Sequence, residues 1–486
     1  MDTWQRLGLL YEGGDRLRQN ASRFLEQRFK EHADVYSARL KLFDYKDHLG
    51  TSLDWYISTL FERDPQIDLK AGDQSRQEQP FYTEFLTNCD RRGTSFVDLY
   101  RTVFQYAVLY RRAWVLADLP SNNGEFKNLG EQQAAGALDP YLTVYTPLDV
   151  INWKFDDQGI LEWIFIRVRT LEQTPFSDGP QQEVFRWFYF DRKQYKTFRW
   201  SSKENLVSND PPDTDDVEEV DSGTHLWAAA NKVPVHMFEV PDGLWLGNRA
   251  LLPAIGHLNT DNVLFFSLFV NALAIPIIFS ESDVTNAQNS IVGYLKLGKD
   301  DKFEWAEQQG HSYQFLMERV MNQTEDIFRA FYLIHQGRSG RATPTAQSAV
   351  SKQMDMMPSR DILKMFGDRV RASMKQTLNL VSIAKNFDPD LSWDIIGFDF
   401  ENRYTLDEIQ ALQALYDMDL PSETFRRELA KRTISNKLPD LNPKMQEKIF
   451  EEIDAAPSAA DRQVQLLKRK AEVLNSAKVP GDPAGA

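Results

Sequence analysis

The stretch 246–346 constrains this chain more than any other. Apolar residues fall at Leu251, Leu252, Ile255, Leu258, Val263, Phe266, Phe269, Val270 and Leu273. Spacings of three and four mark one face of a long helix, predicted over 246–273. A second helical pattern, over 312–336, carries Phe315, Leu316, Val320, Ile327, Phe328, Phe331 and Leu333. Between them lies a compact insert, 274–311, and behind them the run Gly337-Arg338-Ser339-Gly340-Arg341. Two helices that carry an insert at one end form a mechanical element, and no catalytic constellation lies on them.

A chain of 486 residues exceeds one ordinary core, so two to four subdomains are expected. Apolar residues make up 42% and charged residues 26%, a globular balance that excludes a disordered chain. The formal charge of −15 argues against tight nucleic-acid binding, because phosphate affinity comes from clustered Lys and Arg. A single cysteine, Cys89, excludes an internal disulfide and fits a reducing cytoplasm. MDTWQRLGLL lacks the basic start and apolar run of a signal peptide. Val263–Phe279 is uncharged throughout, at the short edge of a membrane-spanning length. With Ser267, Asn271 and Pro276 inside it, a buried subunit-contact helix is the expected reading.

Residues 1–60 read as helices, with Leu17, Phe24, Leu25 and Phe29 continuing into Tyr36, Leu40 and Leu42, then a short helix over Leu53–Phe61. Asp64-Pro65 breaks the pattern and Gln66–Leu69 reads as a strand. The stretch 76–112 is predicted helical and Ala113–Leu119 β. Between 141 and 240 the period drops to two, with strands at Tyr141–Tyr145, Leu161–Arg169, Val184–Asp191 and Lys196–Trp200. Asp156-Asp157-Gln158-Gly159 reads as a hairpin turn. Asp210–Asp221 holds seven acids and no base, a solvated loop without the spacing of a calcium site. Thr345–Phe387 is predicted as one long helix, with Pro358 a kink or boundary. Leu391–Phe400 returns to strand, and helices follow at Thr405–Met418, Ser422–Lys431, Pro443–Ile453 and Asp461–Ala477. The final VPGDPAGA is expected to be disordered.

No motif for chemistry survives inspection. Gly293–Asp300 fits G-x-x-x-x-G-K but places Asp300 where a phosphate loop needs Ser or Thr, so it is expected to be a strand and turn. The seven histidines, His32, His48, His225, His236, His257, His311 and His335, show no metal-ligand spacing. His257, on the first long helix, reads as a satisfied interface histidine. No metal, cofactor or catalytic residue is expected, and the chain reads as a non-enzyme. The glycines of 337–341 let the backbone turn sharply, and its two arginines could touch phosphates without reading bases.

This order resembles the portal proteins of tailed bacteriophages, from about Tyr11 to Leu441. The marks are TPLDVINWKFDDQGILEWIFIRV at 146–168, like the family's wing strands; LLPAIGHLNTDNVLFFSLFVNALAIPIIF at 251–279, like its descending helix; and SGRA at 339–342, like its tunnel loop. The resemblance implies an α+β portal fold. An α/β wing would span 1–245 and 345–400, and a helical stem 246–273 and 312–336. A small α/β clip would fill 274–311, a tunnel loop 337–344 and a helical crown 401–486. It implies a homo-oligomeric ring, by family analogy of twelve subunits, at one capsid vertex of the virion, assembled in the host cytoplasm. Implied partners are the terminase large subunit, a head–tail adaptor, major capsid and scaffolding proteins, and double-stranded DNA passing through without sequence preference; no membrane is implied. Channel contacts would fall to Gly337, Arg338, Ser339, Gly340 and Arg341. Stem contacts between subunits would fall to Leu258, Phe265, Phe266, Phe269, Phe328 and Phe331. The alternatives are a membrane-associated or other assembly protein, or an enzyme without a recognisable motif.

Overall fold

The computed structural model describes residues 2–69, 75–120, 138–172, 182–201, 217–271, 275–279, 302–306, 311–333, 349–388 and 393–398, parts of 422–434, and 443–456. Helix and sheet are mixed throughout, an α+β fold, and the chain divides into two compact units, Met1–Asp399 and Phe400–Ala486.

In the first unit, helices α1 (Asp2–Glu12), α2 (Gly14–Gln19), α3 (Ala33–Lys41) and α4 (His48–Leu60) precede β1 (Gln66–Leu69). The apolar run that begins at Leu17 is not one helix. Phe24 and Leu25 are buried outside any α-helix, while Phe29 is 92% exposed. The predicted helix at 76–112 is likewise two, α5 (Ser75–Thr87) and α6 (Phe96–Tyr110). Between them Asn88 and Asp90 turn their side chains onto the amides of Gly93, Arg92 and Thr94, and Ser95 Oγ accepts from Asp98 N (3.1 Å) to start α6. Such short polar side chains compete with the helix for backbone partners and favour turns and caps.

The strands that follow form two antiparallel sheets. β2 (Arg112–Asp118) lies between β3 (Tyr141–Tyr145) and β9 (Val235–Glu239). A five-stranded sheet runs in the order β4 (Val150–Phe155), β5 (Leu161–Glu172), β6 (Gln182–Asp191), β7 (Gln194–Ser201), β8 (Val217–Thr224). Its alternation sends Ile164, Ile166 and Phe190 onto Trp114, Leu116 and Val235 of the first sheet, forming one core. At the β4–β5 turn Gly159 adopts φ +76, and its amide donates to Asp156 O (3.0 Å) as the hairpin signal predicted. The acidic run is only partly loop. Glu218, Glu219 and Asp221 lie in β8, paired with β7, and Lys196 bridges Glu219 (3.3 Å); residues 202–216 lie outside the described set.

The long helices come next: α7 (Leu246–Asn271), α8 (His311–Ala330) and α9 (Ala349–Ala384). Where α7 begins, Gly247 passes so close to α6 that a Cβ would stand 2.7 Å from Leu109 O. α9 runs straight through Pro358, so that proline is no boundary. α8 ends at Ala330, short of the predicted 336, through a left-handed Tyr332 at φ +58. β12 (Trp393–Ile396) is shorter than predicted and pairs antiparallel with β1, across more than 300 residues of chain. In the second unit α10 (Pro443–Ala455) ends where Arg427 donates to Asp454 O (2.9 Å) and Ala456 O (2.8 Å). The predicted helices at 405–418 and 461–477, the C-terminal tail and the G-x-x-x-x-G-K run lie outside the described residues.

α9 is held by buried polar contacts as well as by apolar packing. Tyr100 OH reaches Thr377 Oγ1 (2.6 Å) and Ser373 Oγ (3.1 Å), His236 Nε2 meets Ser373 Oγ (2.8 Å), and Trp227 Nε1 donates to Leu380 O (2.8 Å). Tyr100→Phe removes one member and takes from the Thr377 hydroxyl its tyrosine partner in a dry site, while Ser373 keeps His236. A loss of about 1–3 kcal/mol is expected, read as a lower melting temperature with unchanged circular dichroism.

Candidate assembly surface: a two-helix ribbon and its root

α7 and α8 lie side by side and antiparallel. A Cβ on Gly256 would stand 3.1 Å from Gln323 Nε2, and Tyr313 OH donates to Ser267 O (3.5 Å) toward the other end. Beyond that end β10 (Ile275–Phe279) pairs with β11 (Lys302–Ala306), Ile275 opposite Ala306 and Phe279 opposite Lys302. The uncharged stretch Val263–Phe279 is thus divided between the end of a helix and a strand. Among the described residues no helix is long and apolar enough to cross a membrane.

The root of α7 is a polar clamp. Asn259 Nδ2 donates to Phe24 O (2.8 Å), and its Oδ1 accepts from Glu26 N (3.3 Å). One turn on, Asn262 Nδ2 donates to Asp44 O (2.7 Å) and its Oδ1 accepts from Asp44 N (3.0 Å). Each amide imitates a peptide group and satisfies backbone that has no ladder partner. Between them, buried Asp261 holds Lys46 at 2.8 Å. Residues three apart share a helix face, so one side of α7 grips both N-terminal loops.

His257 is buried here with its ring edge-on to His48, centroids 5.0 Å apart, and Phe328 lies 6.0 Å beyond His48. Among the described residues its Nε2 has no hydrogen-bond partner, although a satisfied histidine was expected. Burial pushes His257 down to about 4, with His48 adding to the effect; burial and Lys46 lower His48, and Asp261 opposes both. Cys89 is buried and its thiol is pushed up to about 12 by desolvation, which makes it unreactive. His236 is likewise lowered to about 4 by burial and lies half-buried against the buried Ser373. Among the described residues no group of His, Cys, Asp or Glu could hold a metal.

The six predicted stem-contact residues divide. Leu258 and Phe331 are fully buried within the chain. Phe266 and Phe328 are half-buried. Phe265 and Phe269 stand 41% and 62% exposed, joined by Leu268, which the periodicity did not single out. Gly337, Arg338, Ser339, Gly340 and Arg341 lie outside the described residues. Asn259, Asn262, Asp261 and Lys46 were missed; an Asn next to an apolar residue inside a helical pattern is the signal that points to such a clamp.

No protein-family model matches this chain, and no curated protein does. Among solved structures it is similar to a chain of the neck of an empty gene transfer agent particle, computed with sixfold symmetry. The TM-score is 0.44 and the identity 13%, over 85% of this chain and 98% of that one. An overlap that loose fixes neither fold nor role.

The two imidazoles make the root sensitive to acid. A base whose folded pKa lies below its ordinary 6.5 contributes stability that is complete above that pH and is lost as pH falls toward about 4. Melting temperature is therefore expected to drop between pH 7 and pH 5, and His257→Leu to flatten that drop. An unchanged slope in the variant would place the acid sensitivity elsewhere.

Proposed function

We propose that this chain is a portal-type protein that assembles into a ring at one vertex of a phage-like particle. The ring surrounds the channel through which the genome enters and leaves. Its role is structural, and the hydrolysis of ATP belongs to a separate packaging motor. The motor and later a head–tail adaptor would dock at the insert between α7 and α8. The wing would face capsid and scaffolding proteins, and twelve copies is the number that family analogy suggests.

The observation that carries the reading is a ribbon with two unlike apolar edges. At roughly 100° per residue, Phe265 lies diametrically across α7 from Gly256, which touches α8, and Leu268 and Phe269 fall within roughly 60° of it. On α8, the exposed Met317 and Met321 lie roughly 120–160° around from Gln323, which faces α7. The α7 edge carries Phe265, Leu268 and Phe269, and α8 carries Met317 and Met321 together with the still more exposed Phe315, so copies fit side by side in a repeating, head-to-tail sense. A heterologous contact of that kind closes into a ring when its rotation closes. Large exposed apolar side chains gathered on a narrow ribbon are costly to leave in water.

Phe269→Asp puts a charge on the exposed edge without entering the core. The expected outcome is loss of the large species in light scattering, with the melting temperature of the subunit changed little. Leu258→Ala is expected to do the reverse, costing about 2–5 kcal/mol of stability through a cavity. A wild-type protein that stays monomeric across micromolar concentrations contradicts the proposal.

The two arginines at 338 and 341 would form a cationic collar around the channel, touching phosphates briefly and without regard to sequence. Arg338→Ala with Arg341→Ala is expected to leave ring assembly intact while lowering the fraction of particles that retain a full genome. Full retention would make the segment a plain connector.

A further inference from the structure

The loop between Leu25 and His32 is braced from inside. Arg39, on α3, donates from Nε to Glu31 Oε1 (3.0 Å) and from Nη2 to Glu31 Oε2 (2.9 Å), and Nη2 also reaches Glu26 O (2.6 Å). Both side chains of this ion pair are buried, at 3% and 7% exposure. Glu31 Oε2 also accepts from Arg28 N (2.9 Å), Gln27 Nε2 donates to Glu31 O (3.1 Å), and Glu26 N is held by Asn259. Taking an ion pair out of water is costly unless further hydrogen bonds satisfy it, as they do here for the carboxylate. The result is a single loop fixed in one conformation.

What the braced loop displays is Phe29, exposed at its tip, with Arg28 and Lys30 exposed on either side. Lys30 turns through φ +63, and its Nζ lies 5.4 Å from the Phe29 ring centroid. The brace uses the backbone amide of Arg28, so its side chain stays in solvent with those of Phe29 and Lys30. The nearby acid Glu31 is neutralised by Arg39, which leaves two cations against Glu26. A loop already fixed binds without the ordering cost that a mobile one incurs. The same unit carries the opposite pattern on β8, an edge of the five-stranded sheet that pairs only with β7 among the described residues. Thr197 pairs with Asp221 and Phe198 with Glu219, so Val220 is bulged out between them and stands 58% exposed. A bulge of this kind re-aims a side chain. Glu218, Glu219 and Asp221 are exposed around it, three carboxylates against Lys196 and Arg199 on β7.

We propose that this knob seats on the β8 edge of a second copy of the chain, Phe29 against Val220, with Arg28 and Lys30 facing Glu219 and Asp221. Phe29 and Val220 are both exposed in one chain, so they do not meet within it. The order cation–apolar–cation on the knob answers the order acid–apolar–acid on the strand, and like charges nowhere face each other. Two unlike surfaces on one chain join copies head to tail, the sense in which a ring closes. The contact rests on the side-by-side reading and adds to it a second seam, apart from the ribbon edges.

Sedimentation velocity on the full chain tests it. Arg28→Glu with Lys30→Glu is expected to raise the concentration needed for association about tenfold, and so is Glu219→Lys with Asp221→Lys. All four changes together are expected to bring it back to within about threefold of the parent, because the charges are exchanged and not lost. Phe29→Ser, which touches no hydrogen bond of the brace, is expected to weaken association with the melting temperature unchanged. Association that neither Phe29→Ser nor either charge pair moves overturns the contact, as does a quadruple variant no better than the doubles. Phe269→Asp separates the two seams. Association that it abolishes while the charge pairs leave it untouched keeps the ribbon edges and refutes the β8 contact. Association that survives it yet falls with either charge pair does the reverse, and a parent that stays monomeric overturns both.

Discussion

The fold of the first unit depends on one face of α7 gripping backbone that has no partner of its own. Asn259 and Asn262 each donate to and accept from an N-terminal loop, at Phe24–Glu26 and at Asp44. Without them, peptide groups of two connecting segments would face a helix with nothing to bond, a cost comparable to the hydrogen bonds themselves. Because the clamp is made of neutral amides, it carries no charge that must be desolvated. The single ion pair beside it, Lys46–Asp261, keeps its lysine half in water. Anchored this firmly at its root, α7 can project a tip that little else in the described chain covers.

That division of labour explains the distribution of apolar surface along the ribbon. Near the root most apolar residues serve the chain itself, Leu251, Ala254 and Leu258 on α7, Ile327 and Phe331 on α8, with the exposed Leu252 the exception. Toward the tip the two helices meet only each other, and a pair of helices can bury one stripe of each. Phe265, Leu268 and Phe269 on α7, with Phe315, Met317 and Met321 on α8, are the remainder. The same chain that hides aromatic rings thoroughly around Tyr56, Phe104 and Phe366 leaves these in water.

Buried polar groups mark where elements distant in sequence must meet in one register. Tyr100 with Thr377 and Ser373, Tyr82 with Ser382, and Trp227 with the Leu380 carbonyl each join α9 to a partner more than 150 residues away. Apolar contacts tolerate a shift of one helical turn; a hydroxyl pair in a dry interior does not, since each partner stranded by the shift costs as much as a hydrogen bond. The contact of the Arg249 guanidinium with the Tyr332 ring and hydroxyl differs from these. It lies near the surface and supports a backbone conformation that local preference opposes.

Local pattern by itself determined the class of many elements and some of their limits. Gln66–Leu69 and Tyr141–Tyr145 are strands within the predicted limits, α7 ends within two residues of its predicted limit, and the helix–insert–helix order was legible from apolar spacing and turn residues alone. Such signals are local because backbone preference and the period of side-chain direction act over a few residues. Tertiary structure decided the rest. Periodicity reports which side of a helix is apolar, not what covers it, so Leu258 and Phe265 looked alike although one is buried in the chain and the other is exposed. It could not show that β1 would wait for β12, that part of an acidic run would be recruited as the partner of β7, or that asparagines on α7 would close two loops. Nor could it stop α8 at Ala330: that end opposes the local preference of Tyr332 and is held by an arginine 83 residues earlier in the chain.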